Sequence, residues 1–367
     1  MKMRYTGLFL VALLILAGAV SCKSTKAVTE EPPLTGETLD PENGPPDRAA
    51  LSSLNDAADR AAKARQLVMD FNGPTYFPED WSSADSLYTQ AESRRSTSTQ
   101  REARESANRY DAAAGAFNAL ADKTLPRYAQ DLEDEVTAAR TAAVGAGAAY
   151  YAQDYLQEAD TVAVQALNQY EGKDYYTARD TAFTARDMYE TLEIGVGALK
   201  VRLEIEDKGF ARYDPTAIDA ADKLGLSAVD DYQSGNVASA RGKVSDVLSQ
   251  YSQSLLKGKE SYASDSGAAA AAERQRALDA KANVAVRQDY DSANAVYNRA
   301  VTFFRGKNYD DAAIYYNESR SLFESAARTA REKRTMAEEA LRAAELKMTE
   351  SGEYAERAEI QLEGGAQ

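Results

Sequence analysis

The sequence predicts an all-α protein, an array of antiparallel helical hairpins preceded by a signal peptide and a disordered tether. Three observations lead there. Apolar and small residues recur at alternating three- and four-residue intervals, which places them on one stripe of a helix. No stretch sustains the apolar/polar alternation of a half-buried strand. The stripes also come in repeated pairs, with a glycine between the two members of each pair: Gly172, Gly235 and Gly306.

The chain of 367 residues opens with Lys2 and Arg4, continues through an apolar run from Leu8 to Val20, and closes that run with small residues before Cys22. This is the layout of a secretory signal peptide, residues 1–21. A run of about 13 apolar residues is short of the ~20 that span a bilayer. The stretch Ala17-Gly18-Ala19-Val20-Ser21-Cys22 resembles the lipobox of bacterial lipoproteins, in the looser form of spirochaetes, because Ala19 stands where Leu is usual. The resemblance implies that Cys22 carries a lipid and holds the protein to a membrane of the cell envelope, outside the cytoplasm. Lys23, by resemblance to a sorting rule of some Gram-negative bacteria, hints at the outer membrane. An ordinary signal peptide, with Cys22 a spectator, is the alternative. Cys22 is the only cysteine, so no internal disulfide forms and stability rests on packed apolar surface.

Residues 22–46 read as the tether. They hold Pro32, Pro33, Pro41, Pro45 and Pro46 and almost no large apolar residue, a composition that cannot bury a core. From residue 47 the chain turns to Ala, Arg, Glu, Asp, Gln and Tyr. Residues 47–152 form an N-terminal helical region, and Pro74, Pro78, Pro126 and Pro215 are expected where helices start or stop.

The repeats occupy residues 153–325. Seams with offsets 0, 3, 7, 10 and 14 begin at Leu156, Ile218 and Tyr290 and end at Tyr170, Tyr232 and Phe304. Partner seams open 19 residues later, at Tyr175, Val237 and Tyr309, and end at Tyr189, Tyr251 and Phe323. Two helices joined at a glycine fold back on each other, with that glycine expected to supply the left-handed residue. Alanines let the backbones approach, and aromatics fill the ends of each seam. The last seam runs on through Ala330, Ala337, Leu341, Ala344, Met348, Ala355, Ala358 and Leu362. Residues 326–367 are therefore a long C-terminal helix and tail, a helix of ~50 residues being ~80 Å long. Its options are to pack along the array or to protrude and pair as a coiled coil.

Gly306-Lys307-Asn308-Tyr309-Asp310-Asp311-Ala312-Ala313-Ile314-Tyr315-Tyr316 resembles the turn and second helix of a tetratricopeptide repeat. Gly172-Lys173-Asp174-Tyr175-Tyr176-Thr177-Ala178 matches nearly as well, and Gly235-Asn236-Val237-Ala238-Ser239-Ala240 is one residue shorter. Successive seams start 62 and 72 residues apart, against about 34 in that family. Each pair thus resembles one such repeat with an elongated second helix, in a tetratricopeptide-like solenoid. A degenerate earlier copy begins at Trp81-Ser82-Ser83-Ala84 and Tyr110-Asp111-Ala112-Ala113. The combination of leader, tether and repeats is similar to spirochaete surface or periplasmic lipoproteins.

The formal charge is −15, and the leader removes two basic residues from it. Such a surface repels nucleic acid and anionic headgroups. The chain has no histidine, which excludes a Ser-His-Asp triad, a Cys-His dyad and the usual zinc sites. No catalytic residue, metal site or cofactor is expected. Of the 22 tyrosines, most fall in the seams. Tyr150, Tyr151, Tyr176 and Tyr315 lie off the aligned seams and are the candidates for a binding surface. The expected role is a lipid-anchored module for protein interaction or envelope structure. A peptidoglycan- or glycan-binding module is the alternative, and a carboxylate-based glycan hydrolase a further one; the last needs two carboxylates ~5–10 Å apart in a cleft.

Overall fold

The structure, a computed structural model, describes residues 42–364, with side chains through residue 362. The signal peptide, Cys22, Lys23 and the tether up to residue 41 lie outside the described residues. Among the described residues there are twelve α-helices, one short 3-10 helix and no strand, so the chain is an all-α array. In order the helices are α1 (Arg48–Asp70), α2 (Gly73–Tyr76), α3 (Pro78–Glu92), α4 (Gln100–Ala146), α5 (Ala148–Tyr151), α6 (Gln153–Glu171), α7 (Tyr175–Asp207), α8 (Pro215–Gln233), α9 (Val237–Asp279), α10 (Ala282–Ala285), α11 (Arg287–Arg305) and α12 (Tyr309–Gly364); the 3-10 turn Phe210–Tyr213 precedes α8. By their contacts the described residues divide into two units, residues 42–63 with 84–115, and residues 64–83 with 116–364.

The first unit is built on small residues. Leu54, Ala57, Ala58 and Ala61 of α1 face Ala91 of α3 and Ala107, Tyr110, Ala113 and Ala114 of α4. Tyr88 packs edge-on to Tyr110 at 6.0 Å. Thr99 and Glu102 start α4 as a reciprocal cap: the Glu102 N–H donates to the Thr99 hydroxyl at 3.2 Å, and the Thr99 N–H donates back to the Glu102 carboxylate at 3.2 Å. That exchange satisfies donors the helix itself leaves open.

The second unit repeats one motif, first at Asn72 (φ 63°), the turn Gly73–Tyr76 and Phe77 (φ −137°), and then three times ahead of a 19-residue helix. A positive-φ residue (Gly147, Gly209 or Lys281) is followed by a single helical turn. A residue that is neither helical nor extended comes next: Ala152 at φ −146°, ψ 43°, Asp214 at −148°, 53°, Val286 at −141°, 54°. Each starts a helix of 19 residues, α6, α8 or α11. Pro215 fits the first turn of α8 because that turn needs no N–H from it.

The turn that follows differs from the expectation in one respect. Gly172 and Gly306 have φ of −73° and −77°, open to any residue, and the left-handed residues are Lys173 (φ 62°) and Lys307 (φ 60°). Only in the middle copy does glycine fill that position, Gly235 at φ 80°. This explains why its motif is one residue shorter: Gly235 aligns with the two lysines, and Ser234 with the two glycines. In every copy the strained residue is held by the same pair of backbone bonds. Asp174, Asn236 and Asn308 donate to the carbonyls of Gln169, Asp231 and Phe303 at 2.9, 2.8 and 3.0 Å, and the left-handed residue itself donates three residues back.

All six seams are buried or half-buried, without one exposed member. α6 packs on α7, α8 on α9 and α11 on α12. The second helix of each pair outlasts the first, and its extension is the wall for the next hairpin, so α7 packs on α9 and α9 on α12. Phe210 closes one such junction over Gly258, where an added Cβ would lie 2.6 Å from the Phe210 Cβ.

Two further outcomes concern the helix ends. Pro74, Pro78 and Pro215 stand at helix starts. Pro126 instead lies inside α4. Its ring is exposed, while Ala121, Thr124, Leu125 and Leu132 around it are buried. The packed face carries the helix past the lost hydrogen bond. At the other end of the chain, α12 packs as far as Ala330, and every described side chain from Arg331 to Leu362 is exposed. The helix protrudes.

Candidate functional site

Two cavities lie in the second unit at equivalent places in successive hairpins. One, of about 310 Å³, is walled by α4, α6 and α7. The other, of about 470 Å³, is walled by α7, α8 and α9. Much of the two linings corresponds at a distance of 62 positions, as in Ala163 and Gly225, Leu167 and Val229, Tyr170 and Tyr232, Ala182 and Val244. The size follows the residue at one seam position. A Cβ at Gly225 would meet nothing within 4 Å. Ala163 fills a little of the same space in the smaller cavity. In the third hairpin the position is Tyr297, whose ring packs on Tyr316 at 5.5 Å and Phe323 at 6.4 Å.

Each cavity carries one charged clasp. Arg140 donates to both oxygens of Asp160, at 2.7 and 2.9 Å, and the Tyr189 hydroxyl donates to the same carboxylate at 2.6 Å. Arg202 grips Asp222 at 3.0 and 3.3 Å, and the Tyr251 hydroxyl donates to Asp222. The bond from Arg140 holds the Asp160 carboxyl below the usual carboxylate range, with Tyr189 adding to it. Burial pushes Asp222 up, and the bonds from Arg202 and Tyr251 more than reverse it. Burial, followed by the bond to aspartate, pushes the Tyr189 and Tyr251 hydroxyls up. At neutral pH both aspartates are therefore ionised and both tyrosines protonated. The clasps fix the helices against one another and present no group poised for proton transfer.

In the third hairpin the same spacing gives Arg274, Asn294 and Phe323. Phe323 has no hydroxyl, and the Arg274 Nε and Asn294 Oδ1 are buried without a hydrogen-bond partner. The Arg274 guanidinium lies 5.7 Å from the Tyr297 ring centre instead.

Of the candidate tyrosines, Tyr151 lines the larger cavity. Its ring meets Tyr150 edge-on at 4.8 Å, and Tyr150 is 83% exposed. Tyr176 is engaged elsewhere: its hydroxyl donates to Asp70 at 2.8 Å and its ring meets Phe71 at 5.2 Å. Burial and that bond raise its pKa to about 12. Tyr315 stacks on Phe303 at 5.2 Å under the Arg299 guanidinium, 4.3 Å from its ring centre. Only Tyr150 and Tyr151 come together. Cys22 lies outside the described residues.

The clasp residues Arg140, Asp160, Arg202 and Asp222 are not among the candidates read from the sequence. The signal for them is present as intervals of 20 and 29 residues, from Arg to Asp and from Asp to Tyr, in both hairpins. One carboxylate lines each cavity, Glu133 in the smaller and Asp222 in the larger, so neither assembles a carboxylate pair. Among the described residues no group of three His, Cys, Asp or Glu side chains could hold a metal ion, and no helix is long and apolar enough to cross a membrane. No family model, curated protein or solved structure matches this chain.

Proposed function

We propose that this chain is a lipid-anchored, extracytoplasmic protein of the cell envelope, and that its tetratricopeptide-like hairpins bind a protein partner through apolar side chains. The observation that carries this reading is the larger cavity. Leu226 at its edge is 69% exposed, with Leu199 and Val229 also exposed beside it. Covering that apolar rim is favourable, at roughly 25 cal/mol per Å² removed from water. A partner that inserts one side chain and lays others over the rim would do so. The lipid on Cys22 would set where binding happens, and no chemistry on the partner is required. Gly225→Phe tests the cavity directly, because the new ring grows into open space. Crosslinking in the native cell followed by mass spectrometry should identify a partner that the Gly225→Phe protein no longer captures. Undiminished capture by that variant overturns the reading.

The exposed ring of Tyr150, backed by Tyr151, favours a second reading as a glycan-binding module, since aromatic faces stack on sugars. Retention on purified peptidoglycan that is lost in Tyr150→Ala would support it over the first.

A further inference from the structure

We infer that the exposed end of α12 pairs, antiparallel, with the same helix of a second copy of this chain. From Arg331 to Leu362 the helix is ~48 Å long and no described side chain on it is covered. A lone helix of this kind has little to hold it in water, because helices in proteins owe most of their stability to packing. Yet its sequence keeps a seam. Ala337, Leu341, Ala344, Met348, Ser351, Ala355, Ala358 and Leu362 follow strict intervals of four and three, the period of two helices winding round each other. The seam is continuous with one already in use. Phe323, Ala327 and Ala330 on the same stripe are buried against Tyr290, Ala293 and Val286 of their own chain, and the cover ends where Arg331 begins.

The orientation follows from size and charge. One heptad position holds the large residues Leu341, Met348 and Leu362, and the other holds Ala337, Ala344, Ser351 and Ala358. In an antiparallel pair the two positions face each other across the seam. Leu341 of one copy then lies over Ala358 of the other, Met348 over Ser351, and Leu362 over Ala337. A parallel pair would set Leu341 on Leu341, Ala344 on Ala344 and Arg334 on Arg334, leaving gaps between crowded layers. Charge agrees. The first half carries Arg331, Lys333, Arg334, Arg342 and Lys347 against four glutamates, while the second half carries Glu350, Glu353, Glu356 and Glu359 against Arg357 alone. Antiparallel pairing brings the basic end of one helix to the acidic end of the other, and parallel pairing would align the two acidic ends.

The test uses the full chain with Cys22→Ser, in mild detergent. Sedimentation should show a dimer, and Leu341→Glu with Met348→Glu should weaken it by on the order of 100-fold. The melting temperature of the monomer should not move, because neither side chain touches the rest of its chain. Orientation is read by disulfides. Chains with Leu341→Cys should crosslink to chains with Ala358→Cys, and Leu341→Cys chains alone should not crosslink to one another. A chain that stays monomeric at about 100 μM, a dimer indifferent to the two glutamates, or self-crosslinking of Leu341→Cys overturns the inference.

Discussion

Asp222 lines an apolar cavity and Asp160 is bonded to Arg140 and Tyr189, which line the other; each aspartate is held by an arginine in two bonds and by a tyrosine in a third. Such charge-assisted bonds are about twice as strong as neutral ones. The third hairpin keeps the arginine and loses both partners' chemistry, so its polar atoms are orphaned. Restoring the set should reveal it. Phe323→Tyr alone should stabilise by about 1 kcal/mol, because the new hydroxyl stands where it can donate to the unpartnered Asn294 Oδ1. Asn294→Asp combined with Phe323→Tyr should gain about 1 kcal/mol more than the two single changes together, because the hydroxyl and Arg274 then share a carboxylate. Urea unfolding of the two single variants and the double gives the coupling, and an absence of coupling refutes the equivalence of the three positions. The same clasps set a pH dependence. The folded pKa values of Asp160 and Asp222 are lowered, so their contribution is present above the ordinary value of ~3.9 and is lost as pH falls through the folded values. Those of Tyr189 and Tyr251 are raised, so their contribution is present below ~10 and is lost as pH rises through the folded values. Melting temperature should therefore fall on both sides of a neutral plateau. Tyr189→Phe with Tyr251→Phe should flatten the alkaline limb, and an unchanged limb would show that other groups cause it.

Each hairpin turn places one residue in the left-handed region, and the residue chosen differs between copies. A side chain there costs roughly 1–2 kcal/mol, which Lys173 and Lys307 bear and Gly235 avoids. Gly235→Ala should therefore destabilise by about 1 kcal/mol. Lys173→Gly should stabilise by less than that, because glycine gives back roughly 0.5–1 kcal/mol of unfolded-chain entropy. Thermal melts of the two variants should move in opposite directions. The hairpins themselves were legible from the sequence. Tyr175, Val237 and Tyr309, read as the openings of the second seams, are the first residues of α7, α9 and α12, because a stripe of three- and four-residue intervals has few ways to bury itself except as a helix. The left-handed position was not legible. Glycine is the residue expected there, and only the backbone shows that lysine holds it in two copies out of three. Pro126 was misplaced for a similar reason: a local rule against proline inside a helix was outweighed by packing on the opposite face. The cavities were invisible because a cavity is what a seam leaves unfilled. Gly225 fits the seam pattern as well as Ala163 or Tyr297 does, and the pattern records only that a residue is apolar or small.

At the scale of the molecule, one design accounts for the unequal helix lengths in the second unit. The first helix of each hairpin, α6, α8 or α11, has 19 residues. The second has 33, 43 or 56, and its added length meets the following hairpin in α7 and α9. In α12 the added length buries no described side chain beyond Ala330, and its last hydrogen bond to another element is that of the Lys333 ammonium to the Ala285 carbonyl at 3.1 Å. The stability of the array should therefore be complete without it. A chain ended after Thr335 removes Met336, Leu341, Leu346 and Met348, all more than 60% exposed, and takes away no buried surface of the monomer. Its melting temperature should stay within about 2 °C of the full chain, less than a 1 kcal/mol change produces in a domain of a few hundred residues. The helical circular dichroism should fall in proportion to the residues removed, and any dimer should be lost. A chain ended after Arg305 makes the contrast. It strips Tyr309, Tyr316 and Phe323 from the third hairpin, uncovers Tyr290 and Ala293, and should lower the melting temperature severely. If the cut after Thr335 destabilises the monomer as much as the cut after Arg305, the end of α12 is packed in solution against its own chain, and the division between a self-sufficient array and a helix reaching outward is wrong.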